Sequence, residues 1–240
     1  IMKPVSSYIQ DKVDRLSPGA IIRHSDFHLP PDKQMALAKT LSRMSKKGQI
    51  ERLEKGLYYK PKKTAFGPVR PSEREILTAI IKEKKGYITD TAAANAIGAT
   101  TQVSKEIVIA SKSYQPPRKI AGLTIRYRRA TIQSASASVE VLQILDSLRI
   151  IKRIPGSSVG EALTSIIAKL ESLSPKTRKE LVSCAKEYNP SVRALIGAII
   201  SARFASLDIS FLKSSLNPLS VYKIGVSQDI LPNKKDWNIQ

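Results

Sequence analysis

Acidic side chains are scarce in this sequence: twenty Asp and Glu stand against forty Lys and Arg in 240 residues, a formal charge of +20. An excess of that size argues against an acidic ligand-free surface and implies a polyanionic partner. Cysteine is almost missing. Cys184 stands alone, so no intramolecular disulfide can form, which suits a reducing cytoplasm. Its setting, LVSCA, is apolar and points to an inert thiol rather than a nucleophile. Long hydrophobic runs are missing too. The longest, Ala194–Ile200, has seven residues, far short of the roughly 20 that span a bilayer, so a membrane is not expected as partner. The opening residues IMKPVSSYIQDK have no apolar core of the signal-peptide kind, and the expected location is the cytoplasm.

The chemistry of catalysis is equally thin. No glycine-rich phosphate loop of either common spacing occurs. Gly156-Ser157 is a pair of the kind a nucleotidyltransferase uses, but no Asp-x-Asp or Asp-x-Glu follows it to hold metal ions. Glu73-x-Glu75 is better explained as helix capping. His24 and His28 are four apart, a spacing able to hold zinc on a helix, yet no cysteine, third histidine or neighbouring glutamate base accompanies them. The expectation is a protein that is not an enzyme, with no catalytic residue, no metal and no cofactor.

What is present begins with order along the chain. Val5, Ile9, Val13 and Leu16 recur at helical spacing. Ser17-Pro18-Gly19 ends that helix, and Ala20–Ile22 reads as a short strand. Ser25–Phe27 suggests a helical turn, and Pro30-Pro31 a corner, with Asp32 placed to cap the next helix. In the stretch LAKTLSRMSKKGQIERLEKGLYY, Leu37, Leu41 and Met44 share one helix face and Gly48 stands at the stop. Two β-prone runs, Gln49–Leu53 and Leu57–Lys60, flank Glu54-Lys55-Gly56. Alternation there sends one of Tyr58 and Tyr59 inward. Helix, strand, short helix, long helix and hairpin come in the order of a winged helix-turn-helix.

Positive charge is densest where that order lies. Residues 1–71 hold fifteen basic and six acidic residues, 72–133 eleven and five, and 134–240 fourteen and nine. An α-helix fits the DNA major groove, where Arg bonds guanine bidentately and Lys reaches guanine or phosphate. The expected DNA contacts are therefore Lys33, Lys39, Ser42, Arg43, Lys46 and Lys47 on or beside the long helix, with Arg52 and Lys55 on the hairpin along phosphates or in the minor groove. A secondary basic patch, Arg118, Lys119, Arg126, Arg128 and Arg129, either extends this footprint or meets an acidic partner.

Beyond these, residues 61–71 (PKKTAFGPVRP) read as a linker. Ser72-x-x-Glu75 is a capping box, Tyr87–Thr89 a strand, and Asp90 the cap of an alanine-rich helix. Lys105–Ala110 and Leu123–Arg128 suggest an antiparallel ribbon. Residues 133–138 (QSASAS) read as a joint, after which the chain is almost wholly helical. Ser158-x-x-Glu161, Ser174-Pro175 and Asn189-Pro190 are helix starts. The expected fold is α+β: a winged helix-turn-helix at 1–66, a small α/β module with a ribbon at 67–132, and a mostly helical domain at 133–240.

The run ALAKTLSRMSKKGQIERLEKGLYYKP resembles the N-terminal winged helix of AbiEi-type antitoxins of bacterial abortive-infection systems. Leu41, Arg43, Met44, Gly48, Ile50, Arg52, Gly56 and Tyr58 carry the likeness. The segment GYITDTAAANAIGATTQVSKEIVIAS is similar to the module that follows in that family. SVEVLQILDSLRIIKRIPGSSV and LNPLSVYKIGVSQDILPNKKDWNI are similar to a subgroup of it. The resemblance implies a repressor of its own operon that binds inverted repeats, and a C-terminal region that counters a nucleotidyltransferase-like toxin without needing a stable complex. The competing reading is an RNA-binding or ribosome-associated basic protein with no antitoxin role; an enzyme acting on nucleic acid or on the toxin is a more distant third.

Overall fold

In a computed structural model of the chain, residues 4–65, 67–113, 115–132, 137–204 and 207–240 are described. The fold is α+β with small sheets. By contacts the chain divides into two compact units, 1–85 with 118–124, and 86–117 with 125–240. The divisions expected at 67 and at 133 do not coincide with that boundary. Most of the expected joint at 133–138 lies outside the described residues, as does Phe66.

The first unit opens with α1 (Val5–Asp14), whose Ile9 and Val13 are fully buried. Its last carbonyls have no partner within the helix. Lys60 Nζ supplies one, donating to the carbonyls of Val13, Asp14 and Leu16 at 3.2, 2.8 and 2.8 Å. β1 (Ile21–Arg23) and two short 3-10 turns follow, His24–Phe27 and Pro31–Lys33. α2 (Gln34–Lys46) buries Leu37, Leu41 and Met44. Asp32 does not cap it, contrary to expectation: the prolines impose a 3-10 turn first, and the Asp32 carboxylate pairs with Lys33 Nζ at 3.2 Å. Gly48 ends the helix at φ +68°, a conformation in which a Cβ would be strained.

β2 (Glu51–Glu54) and β3 (Leu57–Tyr59) form a hairpin with a register shift between Arg52 and Glu54. β3 also pairs antiparallel with β1, Ile22 opposite Tyr58, giving the sheet order β1-β3-β2. Ile9, Val13, Ile22, Phe27, Leu37, Leu41, Met44, Ile50 and Tyr58 make one apolar cluster. Both tyrosines of β3 are buried, not one. Alternation still holds, but the second face of this central strand is covered as well: the Tyr59 hydroxyl donates to Glu51, and burial pushes its pKa up. The stretch expected to be a linker instead pairs β4 (Lys62–Thr64) with β5 (Gly67–Val69). α3 (Glu73–Lys84) starts at the Ser72/Glu75 capping box.

In the second unit β6 (Tyr87–Thr89) leads into α4 (Asp90–Ala96) and β7 (Glu106–Ser111), which pairs antiparallel with β6. Then come β8 (Arg118–Ile120), counted with the first unit, and β9 (Leu123–Arg129), which lies beside β7 in the sheet order β6-β7-β9. Asp90 does not cap α4 either; it stands at φ +56° and its carboxylate accepts from Arg149. Among the described residues, five α-helices follow: α5 (Val139–Arg149), α6 (Val159–Ser172), α7 (Pro175–Ala185), α8 (Pro190–Arg203) and α9 (Ser210–Ser214). The caps at Ser158, Ser174 and Asn189 each accept a backbone N–H three residues on. α8 is apolar nearly all round and buried from Ala194 to Ile200, as a helix in the middle of a core must be. The last residues close on it. Tyr222 bridges Ile239, and the Trp237 ring lies where a Cβ on Gly197 would stand, 2.0 Å from its nearest atom.

Candidate functional site

Burial of Leu37, Leu41 and Met44 fixes the rotation of α2 and so decides what its other face offers. Lys39, Ser42, Arg43 and Lys46 are exposed along that face, at successive spacings of three, one and three, and Lys47 follows. Arg52 on β2 and Lys55 in the hairpin turn are exposed as well. Among the described residues none of Lys39, Arg43, Lys46, Lys47, Arg52 and Lys55 is paired with a carboxylate, whereas Lys33, exposed at the corner before α2, is held by Asp32. The helix and hairpin thus present six unneutralised cations and no acid between Lys33 and Ile50.

The secondary patch behaves differently. Arg118 is paired with Glu54, Arg126 Nε lies 3.1 Å from Glu106, and Arg128 turns inward to Asp146. Lys119 and Arg129 are exposed, and Arg129 has interactions of its own. Three of the five are therefore committed to carboxylates.

The two histidines sit in different settings. His24 stacks on Tyr58, centroids 6.3 Å apart, with burial lowering its pKa. His28 ends the 3-10 turn at φ +48°. Among the described residues no group of three or more His, Cys, Asp or Glu could hold a metal ion. Cys184 is half-buried, and burial pushes its thiol pKa up.

One constellation has no counterpart in the expectations. Asp146, on α5, is fully buried. Its Oδ2 accepts from the Tyr87 hydroxyl at 2.9 Å and from Thr89 Oγ1 at 2.5 Å. Its Oδ1 accepts from the Tyr188 hydroxyl at 3.0 Å, from Arg128 Nη2 at 3.0 Å and from Arg149 Nε at 3.4 Å. Arg149 Nη2 also reaches Asp90 at 2.7 Å. A carboxylate taken out of water costs several kcal/mol unless its lone pairs are filled, and here they are. Burial and the Asp146 charge push the Tyr87 and Tyr188 hydroxyls far up in pKa, so both remain protonated donors. A carboxylate so saturated has no lone pair left for a substrate proton; its effect is to tie β6, β9, α5 and the segment before α8 together. One signal in the sequence pointed to it: Asp146 stands four residues after Leu142, on the apolar face of its own helix.

Among the described residues no helix is long and apolar enough to cross a membrane. No curated protein matches the chain. Among solved structures, the chain is similar to the RV2827C protein from Mycobacterium tuberculosis, at 8% identity and a TM-score of 0.42 over 99% of this chain and 92% of that one. A family profile matches residues 8–181, and on that match the chain belongs to a family of unknown function, DUF6088.

Proposed function

We propose that this chain is a DNA-binding transcriptional regulator whose first unit acts as a winged helix-turn-helix, with α2 as the reading helix and the β2–β3 hairpin as the wing. The order of elements and the sheet order β1-β3-β2 support the reading. The observation that carries it is the line of unpaired cations on α2 and the hairpin, held outward by a core that fixes the helix's rotation. In this reading Arg43 takes a guanine edge, Lys39, Ser42, Lys46 and Lys47 take phosphates or neighbouring bases, and Arg52 and Lys55 take phosphates. The likeness of residues 36–61 to AbiEi-type antitoxins extends the proposal. The protein binds inverted repeats at its own operon in the cytoplasm, and the remainder of the chain counters a nucleotidyltransferase-like toxin by binding or regulation rather than by catalysis.

A salt titration of binding to the duplex upstream of its own gene tests the core of this. With five of the six cations on phosphates, log K should fall against log salt with a slope between about −4 and −5. Salt-insensitive binding, or none at low salt, defeats it. Structured RNA as competitor separates the alternative: RNA displacing the duplex at lower concentration than duplex itself would favour a basic RNA-binding protein.

A further inference from the structure

α2 carries two methionines with opposite fates. Met44 is buried at 3% exposure in the first unit's core, while Met35, in the helix's first turn, is 74% exposed. Nine residues apart on a helix is half a revolution, so Met35 lies on the face opposite the core. That face is the cationic one: Lys39, Ser42, Arg43 and Lys46 follow Met35 at four, seven, eight and eleven residues. Val103 and Leu219 are more exposed still, but neither stands in a line of unpaired cations. A large apolar side chain at the leading end of such a line gains most when something apolar covers it. In the major groove the apolar feature at a base edge is the C5-methyl of thymine. A recognition helix meets base edges with its N-terminal residues, and the unbranched thioether of methionine adapts to irregular apolar surfaces.

We infer that Met35 reads a thymine methyl, making the site selective for an A·T pair in DNA at the leading end of α2. This rests on the DNA-binding reading above and deepens it. Eight residues of helix separate Met35 from Arg43, a rise of about 12 Å, so the thymine stands roughly three base steps of 3.4 Å from the guanine that Arg43 takes. The same contact discriminates against RNA, which carries uracil without the methyl and whose narrow major groove side chains cannot read.

The experiment uses the full chain and the tightest duplex recovered from a random pool. Each thymine in that duplex is replaced singly by deoxyuridine, removing one methyl and nothing else. The wild-type chain should lose about fourfold in affinity at one thymine, the effect of exposing one methyl-sized group, and little at the others. Met35→Ala and Met35→Gln, both at an exposed position and both compatible with helix, should lose a similar factor on the parent duplex and be indifferent to that substitution. Their salt slope should match the wild type. If no deoxyuridine duplex binds the wild type more weakly, or if the two variants keep the same sensitivity, the inference falls while the regulator reading stands. If the pool returns no sequence preference, both fall together.

Discussion

The exposed face of α2 and the surroundings of Asp146 handle charge in opposite ways. On α2 and the hairpin, six cations stand in water, none of them ion-paired with a described carboxylate, although the chain contains twenty acids. Around Asp146 one carboxylate draws two guanidiniums and three hydroxyls out of water. Surface ion pairs contribute little to stability, about 0–1 kcal/mol each. Leaving the α2 cations unpaired therefore costs the fold almost nothing and, on the proposed reading, leaves them for a polyanion. The buried carboxylate, in contrast, is held by partners from four separate segments and has nothing left to offer a ligand. One region leaves its charge unpaired at the surface; the other pairs it inside the fold.

The sharpest way to break this comparison is Asp146→Asn. The amide replaces one acceptor oxygen with a donor facing hydroxyls and guanidiniums, and leaves Arg128 without a counter-charge and Arg149 with Asp90 alone. Breaking a buried pair from one side costs about 3–5 kcal/mol. Both arginines retain 21% exposure and can lean toward solvent, so a loss near about 3 kcal/mol is expected. Trp237 is the only tryptophan and is buried in the second unit, so its fluorescence during urea unfolding reads the effect. An unchanged midpoint would mean that the cluster is incidental to stability. Gly197→Ala acts in the same unit by packing alone. A Cβ there meets three Trp237 ring atoms at 2.0 to 2.4 Å, and overpacking of this kind costs about 1–3 kcal/mol, read by the same fluorophore. Survival of the wild-type midpoint would show that the terminal segment moves aside without loss.

What the sequence made legible, and what it did not, follows the range of the interactions. Helix starts were readable wherever capping is local: Ser72 with Glu75, Ser158 with Glu161, Ser174-Pro175 and Asn189-Pro190 each act within three residues. Strand β1 and the hairpin followed from apolar alternation and Gly56. Asp146 was not readable as a centre, because Tyr87, Thr89, Arg128 and Tyr188 lie 59, 57, 18 and 42 residues away. The same distance hid Arg128, which looked like part of a basic face until its partner was in view. Asp90 and Asp32 looked like caps because acids before helices usually are, but an ion pair claimed each of them. β4 and β5 escaped notice because proline and glycine there suggest a linker, and two strands of three residues leave little pattern.

On the other side of the comparison, Arg43→Ala and Lys55→Ala should weaken binding in different ways. Losing a bidentate guanine contact costs about 1–3 kcal/mol, or roughly five- to 150-fold, on the preferred duplex and little on random DNA. Losing the hairpin lysine should weaken all duplexes alike and reduce the salt slope by about one. Fluorescence anisotropy on one preferred and one scrambled duplex distinguishes the two. Equal effects from both variants on both duplexes would mean that α2 sits on the backbone rather than in the groove.

The smallest effects come from the two capping boxes, one in each unit. Glu75 and Glu161 each accept from the backbone N–H and hydroxyl of the serine that caps their helix. Those bonds hold both carboxyls below the ordinary glutamate range. A pKa lowered by folding contributes stability that is complete above the free-glutamate value and is lost as the pH falls through the folded one. The difference between wild type and a Gln variant should therefore be present at neutral pH and vanish in acid. Glu161→Gln, in the unit that holds Trp237, should shift the fluorescence midpoint slightly at pH 7 and progressively less as the pH falls through the folded-state pKa of Glu161. Glu75→Gln, in the other unit, should leave that midpoint in place throughout. If the two variants shift it equally, the two units unfold as one, and the contrast between an exposed cationic surface and a self-satisfied core belongs to a single cooperative structure.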